Sequence, residues 1–430
     1  MQQAPTRVRY RVVSLAVLLA MVTYLDRACI GKMAPEIMRD LDLSMVQMSS
    51  VFSAFAFAYA LFEIPTAWWA DRLGTRSILT RIVVWWSLFT IATAGAFNYA
   101  SLLVARFLFG AGEAGAWPCV ARTFSRWIPK RERGTMKGVF FSGAYLAGSL
   151  TPSLVVFLLT FMHWRMVFIC FGLIGFVWVL AWRFWFRDDP TQHPDVNDAE
   201  RELILAERPA EAGTLVGRAY WLHVLRQRNV LALCAMYVPN CVTFYFCITW
   251  LPTYLHERHG FDAAALGLVS GLPLFLSVAT QFLGGYFSDR IVARYGLRAG
   301  RRVPGIVGYG LAAVAMFAAA SATAPITAAV FIAVATASCM LTTASAWGTC
   351  IDIGREHSAV VSAMMNTTGQ AGSILSPLIV AYSVKWFANW NLPLYLLAGF
   401  FLIGATCWLF IDPEKPVFEA ENSHLNGLAR

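Results

Sequence analysis

The sequence predicts an all-α membrane protein of twelve transmembrane helices, arranged as two pseudo-symmetric six-helix halves. Three observations carry that prediction. Of 430 residues, 58% are hydrophobic and only 14% are charged, whereas a soluble domain needs about 25% charged residues to cover its surface. Apolar runs of the length that crosses a bilayer, about 20 residues, recur along the whole chain. Short motifs in the first six runs return in the last six. This composition excludes a soluble globular enzyme, a disordered chain and a disulfide scaffold. The 9 cysteines form no C-x-x-C pair and sit mostly inside apolar runs, so they read as small buried residues rather than metal ligands.

The first apolar run, near 12–36, follows Arg7, Arg9 and Arg11. It has no small-residue cleavage site and continues through Asp26 and Arg27, so it reads as a retained span 1 and not a signal peptide. Spans 2 to 6 follow near 46–69, 78–97, 101–122, 138–161 and 166–186. The stretch 188–228 is the one long polar segment. Its Asn197-Asp198-Ala199-Glu200 is a capping-box helix start, and it reads as a cytoplasmic linker. Spans 7 to 12 lie near 229–255, 263–287, 303–322, 326–350, 358–387 and 391–411. The expected organisation is a first half at 1–187, a linker at 188–228, a second half at 229–412 and a tail at 413–430.

Basic residues set the orientation. Arg7, Arg9 and Arg11, the loop arginines from Arg72 to Arg81, the cluster from Arg122 to Lys137 and the cluster from Arg290 to Arg302 all fall on the side of the N-terminus. The other side has only Lys32, Arg39, Arg165, Arg258 and Lys385. Both termini are therefore expected to be cytoplasmic, in a bacterial inner membrane. The net charge of +9 follows topology and faces anionic headgroups, which argues against nucleic acid as a partner.

Internal similarity supports the halving. The loop after span 2 reads Asp71-Arg72-Leu73-Gly74-Thr75-Arg76, and the end of span 8 reads Gly284-Gly285-Tyr286-Phe287-Ser288-Asp289-Arg290. Span 5 contains Ser149-Leu150-Thr151-Pro152, and span 11 contains Ser373-Ile374-Leu375-Ser376-Pro377. Repeated halves joined by a loop are the architecture of many secondary transporters. The acid-Arg pair with its neighbouring Gly and basic residues resembles the signature of the major facilitator superfamily. The first copy departs from it, with Ala67 and Trp68 where a Gly is usual. Asp71, Arg72, Asp289 and Arg290 are expected to latch the cytoplasmic face; the alternative is a basic loop that only sets topology.

Four further stretches resemble the anion:cation symporter family within that superfamily. They are Tyr24-Leu25-Asp26-Arg27 in span 1, Arg106 to Ala114 followed by Pro118 in span 4, Phe244-Tyr245-Phe246 with Thr249 to Leu255 in span 7, and Met365-Asn366-Thr367 with Gly369 and Gly372 in span 11.

Read from physics alone, the deep charges stand out. Each costs about 2.5–3.5 kcal/mol near the bilayer centre on insertion scales. Arg106 and Glu113 are seven apart, on one face of span 4, with Gly110 between them opening room for a helix or a ligand. Asp26 and Arg27 point about 100° apart around span 1. Glu63 lies deep in span 2, with Tyr59 one turn earlier. One reading is a pair of buried salt bridges joining spans 1 and 4, but such pairs stabilise poorly compared with apolar packing. The other is transport: arginine forks match a carboxylate or phosphate, and a carboxylate that takes a proton releases its arginine to an anion, which couples the two.

The family resemblance implies that Tyr24, Arg27, Tyr59 and Arg106 bind an anionic substrate, that Asp26 and Glu113 carry protons, and that Asn366 faces the substrate. Glu63 is either a third proton site or a partner of a polar group in span 4 or span 11. Asn240 and Tyr245 are expected to line the cavity, the alternative being helix packing. Where sugar-acid symporters of the family often have Gln in span 5, this chain has Gly143-Ala144-Tyr145, so a hydroxyl contact is expected to be missing and the substrate to be less hydroxylated or bound differently.

No phosphate loop, His-x-x-x-His or G-x-S-x-G motif is present, so no enzyme activity, cofactor or metal is expected. The expectation is a monomeric major facilitator fold performing proton-coupled uptake of a small organic anion by alternating access. The resemblance makes the anion a sugar acid such as an aldonate, hexuronate or glucarate. Sodium in place of protons remains open. The rival readings are an organic-anion or phosphate exchanger or uniporter without proton coupling and, remotely, a membrane sensor.

Overall fold

The computed structural model describes residues 4–129, 132–206, 226–354 and 358–417, which contain helices and no strand. The chain divides into two compact units, Met1–Ala212 and Gly213–Arg430. In the first, the helices are α1 (Val8–Asp40), α2 (Met45–Leu73), α3 (Thr75–Ala94), α4 (Tyr99–Glu113), α5 (Ala116–Trp127), α6 (Arg133–Leu159), α7 (Trp164–Trp185) and a short α8 (Asp198–Ala206). In the second they are α9 (Arg228–Thr249), α10 (Leu251–His259), α11 (Ala263–Val269), α12 (Leu272–Tyr295), α13 (Leu297–Ser321), α14 (Pro325–Gly354), α15 (Ser358–Phe387) and α16 (Leu392–Phe410).

Ten helical segments among the described residues are long and apolar enough to cross a bilayer. The expected eleventh span, α15, is 30 residues long but diluted by Asn366, Thr367, Thr368, Gln370, Ser373 and Ser376. The expected fourth span is not one helix. It breaks at Ala114–Gly115, where Gly115 has φ 86° and an added Cβ would lie 2.5 Å from the Thr66 side chain. Only glycine suits both that backbone and that space, and Pro118 then sits in the first turn of α5, where proline is tolerated. Spans 7 and 8 are likewise split, with Pro252 and Pro273 opening the second piece of each.

Within the first unit α1 packs on α6, α2 on α4 and α3 on α7. The second repeats the scheme with α9 on α15, α12 on α14 and α13 on α16. The pairings follow the same order of spans, as expected of an internal repeat. Outer faces are greasy: Leu173, Val177, Leu180 and Phe184 form an exposed stripe at helical spacing on α7, a surface suited to lipid and not to water.

Each unit also anchors its third span through the acid that follows its last. Asp188 accepts hydrogen bonds from the Thr75 hydroxyl at 2.7 Å and the Arg76 backbone N–H at 2.9 Å, capping α3. In the second unit Asp412 pairs with Arg298 of α13, and its backbone N–H donates to Asn229 Oδ1 at 2.9 Å.

The expected capping box at α8 forms only in part. Asn197 Oδ1 accepts from the Glu200 N–H at 3.0 Å, but the fully buried Glu200 carboxylate turns to α1. It accepts from the Thr6 hydroxyl at 2.5 Å, the Val8 and Arg9 N–H groups at 3.1 and 3.2 Å and the Arg9 guanidinium at 2.9 Å. The first N–H groups of α1, which have no partner within the helix and where a negative charge is favoured, are thus satisfied from 191 and 192 residues away. Removing one partner of such a buried pair costs about 3–5 kcal/mol. Glu200→Ala is expected to lower the thermal midpoint of the solubilised protein markedly, and Glu200→Gln, which keeps the acceptor oxygen, to lower it less. Equal midpoints for all three proteins would show that the clamp contributes nothing.

Candidate functional site

The charged residues singled out in the first half come together in the core of the first unit. α1 brings Asp26 and Arg27, α2 brings Tyr59 and Glu63, and α4 brings Arg106 and Glu113. Asp26 and Glu113 are fully buried, Arg106 is 2% and Arg27 9% exposed, and Glu63 is half-buried. Arg27 Nε donates to Glu113 Oε1 at 2.5 Å, joining α1 to α4. Glu113 thus bonds across to the facing helix, although it shares a face of α4 with Arg106. Arg106 lies within electrostatic reach of both Asp26 and Glu113, and those two acids are within reach of each other. Glu63 is within reach of Arg27.

Hydrogen-bond donors are scarce around these acids. Glu113 Oε2 and both carboxyl oxygens of Asp26 accept no hydrogen bond among the described residues. The arginines also lie against aromatic rings. The Arg27 guanidinium carbon lies 4.7 Å from the Tyr59 ring centroid, 5.3 Å from that of Phe55 and 6.0 Å from that of Trp117. Arg106 lies 4.1 Å from Phe109 and 5.5 Å from Phe55. Contacts of this kind are worth about 2 kcal/mol when desolvated. Tyr24 completes the wall, edge-on to Trp117 and tilted against Tyr145.

Gly110 makes this assembly possible. An added Cβ would stand 2.4 Å from the Phe55 carbonyl oxygen, so the room between Arg106 and Glu113 is taken by the α2 backbone. Gly284 of α12 plays the same part against Leu341 of α14 in the second unit, at 2.2 Å. Gly110→Ala must push α2 from α4. It is expected to cost about 1–3 kcal/mol of stability and to weaken anion binding, both read on purified protein by thermal unfolding and titration; wild-type values for both would refute the close crossing.

Phe55 and Trp117 were missed by sequence reading because they carry no charge. Phe55 had a signal, since Phe55, Tyr59 and Glu63 recur every four residues on one face of α2. Trp117 had a weaker one, as the residue before Pro118.

The second unit holds the remaining candidates. Asn240 on α9 is buried and its amide donates toward Thr343 Oγ1 at 3.4 Å and Cys339 Sγ at 3.6 Å on α14, a helix-to-helix contact. Tyr245 is buried on α9, with Phe244 beside it. Asn366 lies half-buried on α15. Of the latch residues, the side chains of Asp71 and Arg72 lie outside the described residues. Asp289 meets Arg301 at 3.7 Å, while Arg290 lies over the Tyr286 ring. Adjacent residues point about 100° apart on a helix, so Arg290 turns away from its neighbour. Arg301, which sequence reading did not single out, also pairs with Asp352 at 2.7 Å and donates to Ser288 at 2.8 Å.

Residues 16–377 match the family model of the Major Facilitator Superfamily. The chain belongs to the major facilitator superfamily. It is a multi-pass membrane transporter and not an enzyme, and its fold is the major facilitator fold. This superfamily member is 32% identical over 412 residues to a protein of Cupriavidus necator named as a probable sulfoacetate transporter, covering 95% of this chain and 94% of that one. It is 30% identical over 427 residues to a protein of Escherichia coli named as a probable galactarate/D-glucarate transporter, covering 94% of each. A crystal structure of a bacterial homologue of the human lysosomal transporter Spinster superposes with a TM-score of 0.76 at 18% identity, covering 95% of this chain and 98% of the other.

Proposed function

We propose that this transporter couples uptake of a small organic acid anion, of the sugar-acid or sulfonated-acid class, to proton entry by alternating access, as a monomer in a bacterial inner membrane with both termini cytoplasmic. The observation that carries the reading is the buried Arg27–Glu113 pair at 2.5 Å, with Arg106 and Asp26 beside it. The names of the two relatives support the substrate class.

The chemistry follows from competition for the guanidinium groups. While Glu113 is ionised it occupies Arg27. A proton placed on Glu113 removes the charge that holds the pair, and Arg27 can then offer its donors to the anion. The anion in turn occupies the cation that a charged Glu113 would need, and a buried charge without a partner is costly. Proton and anion therefore favour each other's binding, reciprocally, as symport requires. Asp26 plays the same part toward Arg106. Glu63, in reach of Arg27, serves as a third acid. Tyr24 and Tyr59 wall the site, and Asn240, Tyr245 and Asn366 are the substrate-binding residues of the second unit. Asp71, Arg72, Asp289 and Arg290 latch the cytoplasmic ends.

Proteoliposomes with an acidic exterior test this. Galactarate, D-glucarate or sulfoacetate is expected to accumulate inside, and a proton uncoupler to abolish the accumulation. Counterflow without gradient-driven accumulation would replace symport with exchange, and sodium-dependent accumulation at uniform pH would replace the proton with sodium.

A further inference from the structure

The corner of the first unit where α3 begins and α7 ends gathers three arginines, Arg76, Arg183 and Arg187. Arg183 and Arg187 both lie within electrostatic reach of Arg76. Two of the three are drawn in by carbonyls at the end of α7 that have no partner within the helix. Arg76 Nε donates to the Arg183 carbonyl at 3.1 Å, and Arg187 Nη1 donates to the Phe184 and Phe186 carbonyls at 3.1 and 2.9 Å. The third side chain, that of Arg183, is exposed and makes no hydrogen bond or ion pair among the described residues.

The acids nearby are engaged elsewhere. Asp188 accepts from Thr75 and from the Arg76 backbone at the start of α3. Asp189 accepts from the Thr191 N–H and hydroxyl at 2.9 and 2.8 Å, and Asp195 meets Arg11 at 3.8 Å. None of these acids forms an ion pair with Arg76, Arg183 or Arg187 among the described residues. The second unit resolves the same corner differently. There Asp412, which follows α16 as Asp188 follows α7, pairs with Arg298, and Glu414 lies 4.0 Å from the same arginine.

The apolar stripe of α7 runs up to this uncompensated cluster. Leu173, Val177, Leu180 and Phe184 are exposed, Phe184 at 73%, and Arg183 and Arg187 continue the same spacing of three to four residues. Ten residues separate Leu173 from Arg183, about 15 Å of helix. That is half the hydrocarbon thickness of about 30 Å, the depth of one leaflet. A free phosphate would satisfy the arginines and leave the stripe bare, whereas a neutral lipid would cover the stripe and leave the cations unbalanced.

We propose that Arg76, Arg183 and Arg187 form a binding site for the phosphodiester of one anionic phospholipid, with its acyl chain laid along Leu180, Val177 and Leu173. Arginine forks match phosphate oxygens, and basic pockets between helices at the membrane surface favour anionic headgroups. The bound phosphate offsets the repulsion among the three cations and ties the start of α3 to the end of α7. Lipid binding here is independent of which anion the transporter carries.

Native mass spectrometry of the purified full-length protein in neutral detergent tests this, with phosphatidylglycerol, phosphatidylcholine and inorganic phosphate as added ligands. The wild type is expected to hold phosphatidylglycerol at least about tenfold more tightly than phosphatidylcholine, since each arginine beside an anionic headgroup contributes about fivefold. Arg183 has no partner to lose, so its variants should fold normally. Arg183→Gln is expected to lower the preference about fivefold, Arg183→Glu to erase it and Arg183→Lys to keep most of it. Arg294→Gln, which removes an exposed positive charge from α12, is expected to change nothing. Loss of preference confined to the Arg183 variants that remove the charge supports the site. Equal retention of the two lipids by the wild type overturns it, as does an undiminished preference in both Arg183→Gln and Arg183→Glu. An equal loss in Arg294→Gln reduces the effect to net charge and overturns the site, and displacement of phosphatidylglycerol by an equal concentration of inorganic phosphate overturns the lipid as its occupant.

Discussion

Glu113→Gln is expected to abolish proton-driven accumulation while leaving counterflow of the same anion measurable. The amide has nearly the shape of the acid but cannot take a proton or hold Arg27 by charge. The variant resembles the protonated carrier permanently, with Arg27 released to the anion. Anion affinity should therefore become insensitive to pH over the range in which the wild type weakens as pH rises. The stability change is smaller than for truncation, because Arg27 keeps its ring contacts and an amide oxygen to donate to. Uptake against a gradient at the wild-type rate would remove Glu113 from the coupling scheme.

Arg106→Ala is expected to have the larger effect on the protein as a whole. It deletes one of the two cations and leaves Asp26, fully buried and without a hydrogen-bond donor among the described residues, facing no positive charge on α4. Stability should fall by about 3–5 kcal/mol, and uptake should be lost. Structure and function can be separated. Adding Asp26→Asn to the Arg106→Ala background removes the orphaned charge and should restore much of the thermal midpoint, since well-separated terms add but members of one charge network do not. It should not restore uptake. Recovery of both together would reduce Arg106 to a packing residue.

The spans and the identity of the deep charges were legible because hydropathy and burial cost are properties of the chain itself. Arg106 and Glu113 stood out as ionisable residues in an apolar run. Their partners did not, because pairing depends on which helix faces which. Seven-residue spacing suggested one shared face on α4, while the bond that forms runs from Glu113 to Arg27 of α1. The break in the fourth span had its residues in plain view, Gly115 and Pro118, but apolar periodicity runs through it and smooths it over. Glu200 was legible as part of a local capping box and was read too locally, since nothing in its neighbourhood records that Thr6, Val8 and Arg9 lie against it. Asp289 was expected to pair with an arginine, but which one depends on the facing helix: Arg301 comes in from α13.

Among the described residues at this site of the first unit, the acids and arginines are unequal in number. Asp26, Glu63 and Glu113 stand against Arg27 and Arg106. Fully ionised, the set carries one net negative charge, and a transmembrane voltage acts on such a charge with about 2.3 kcal/mol per 100 mV for full passage. One proton cancels it. A carrier holding that single proton can reorient empty without electrical work, and the voltage then bears only on what is bound beyond it: a cargo accompanied by as many further protons as it has negative charges crosses as an electrically silent load. Under the proposed proton coupling, the odd acid would set how far the membrane potential, as distinct from the pH difference, drives the cycle.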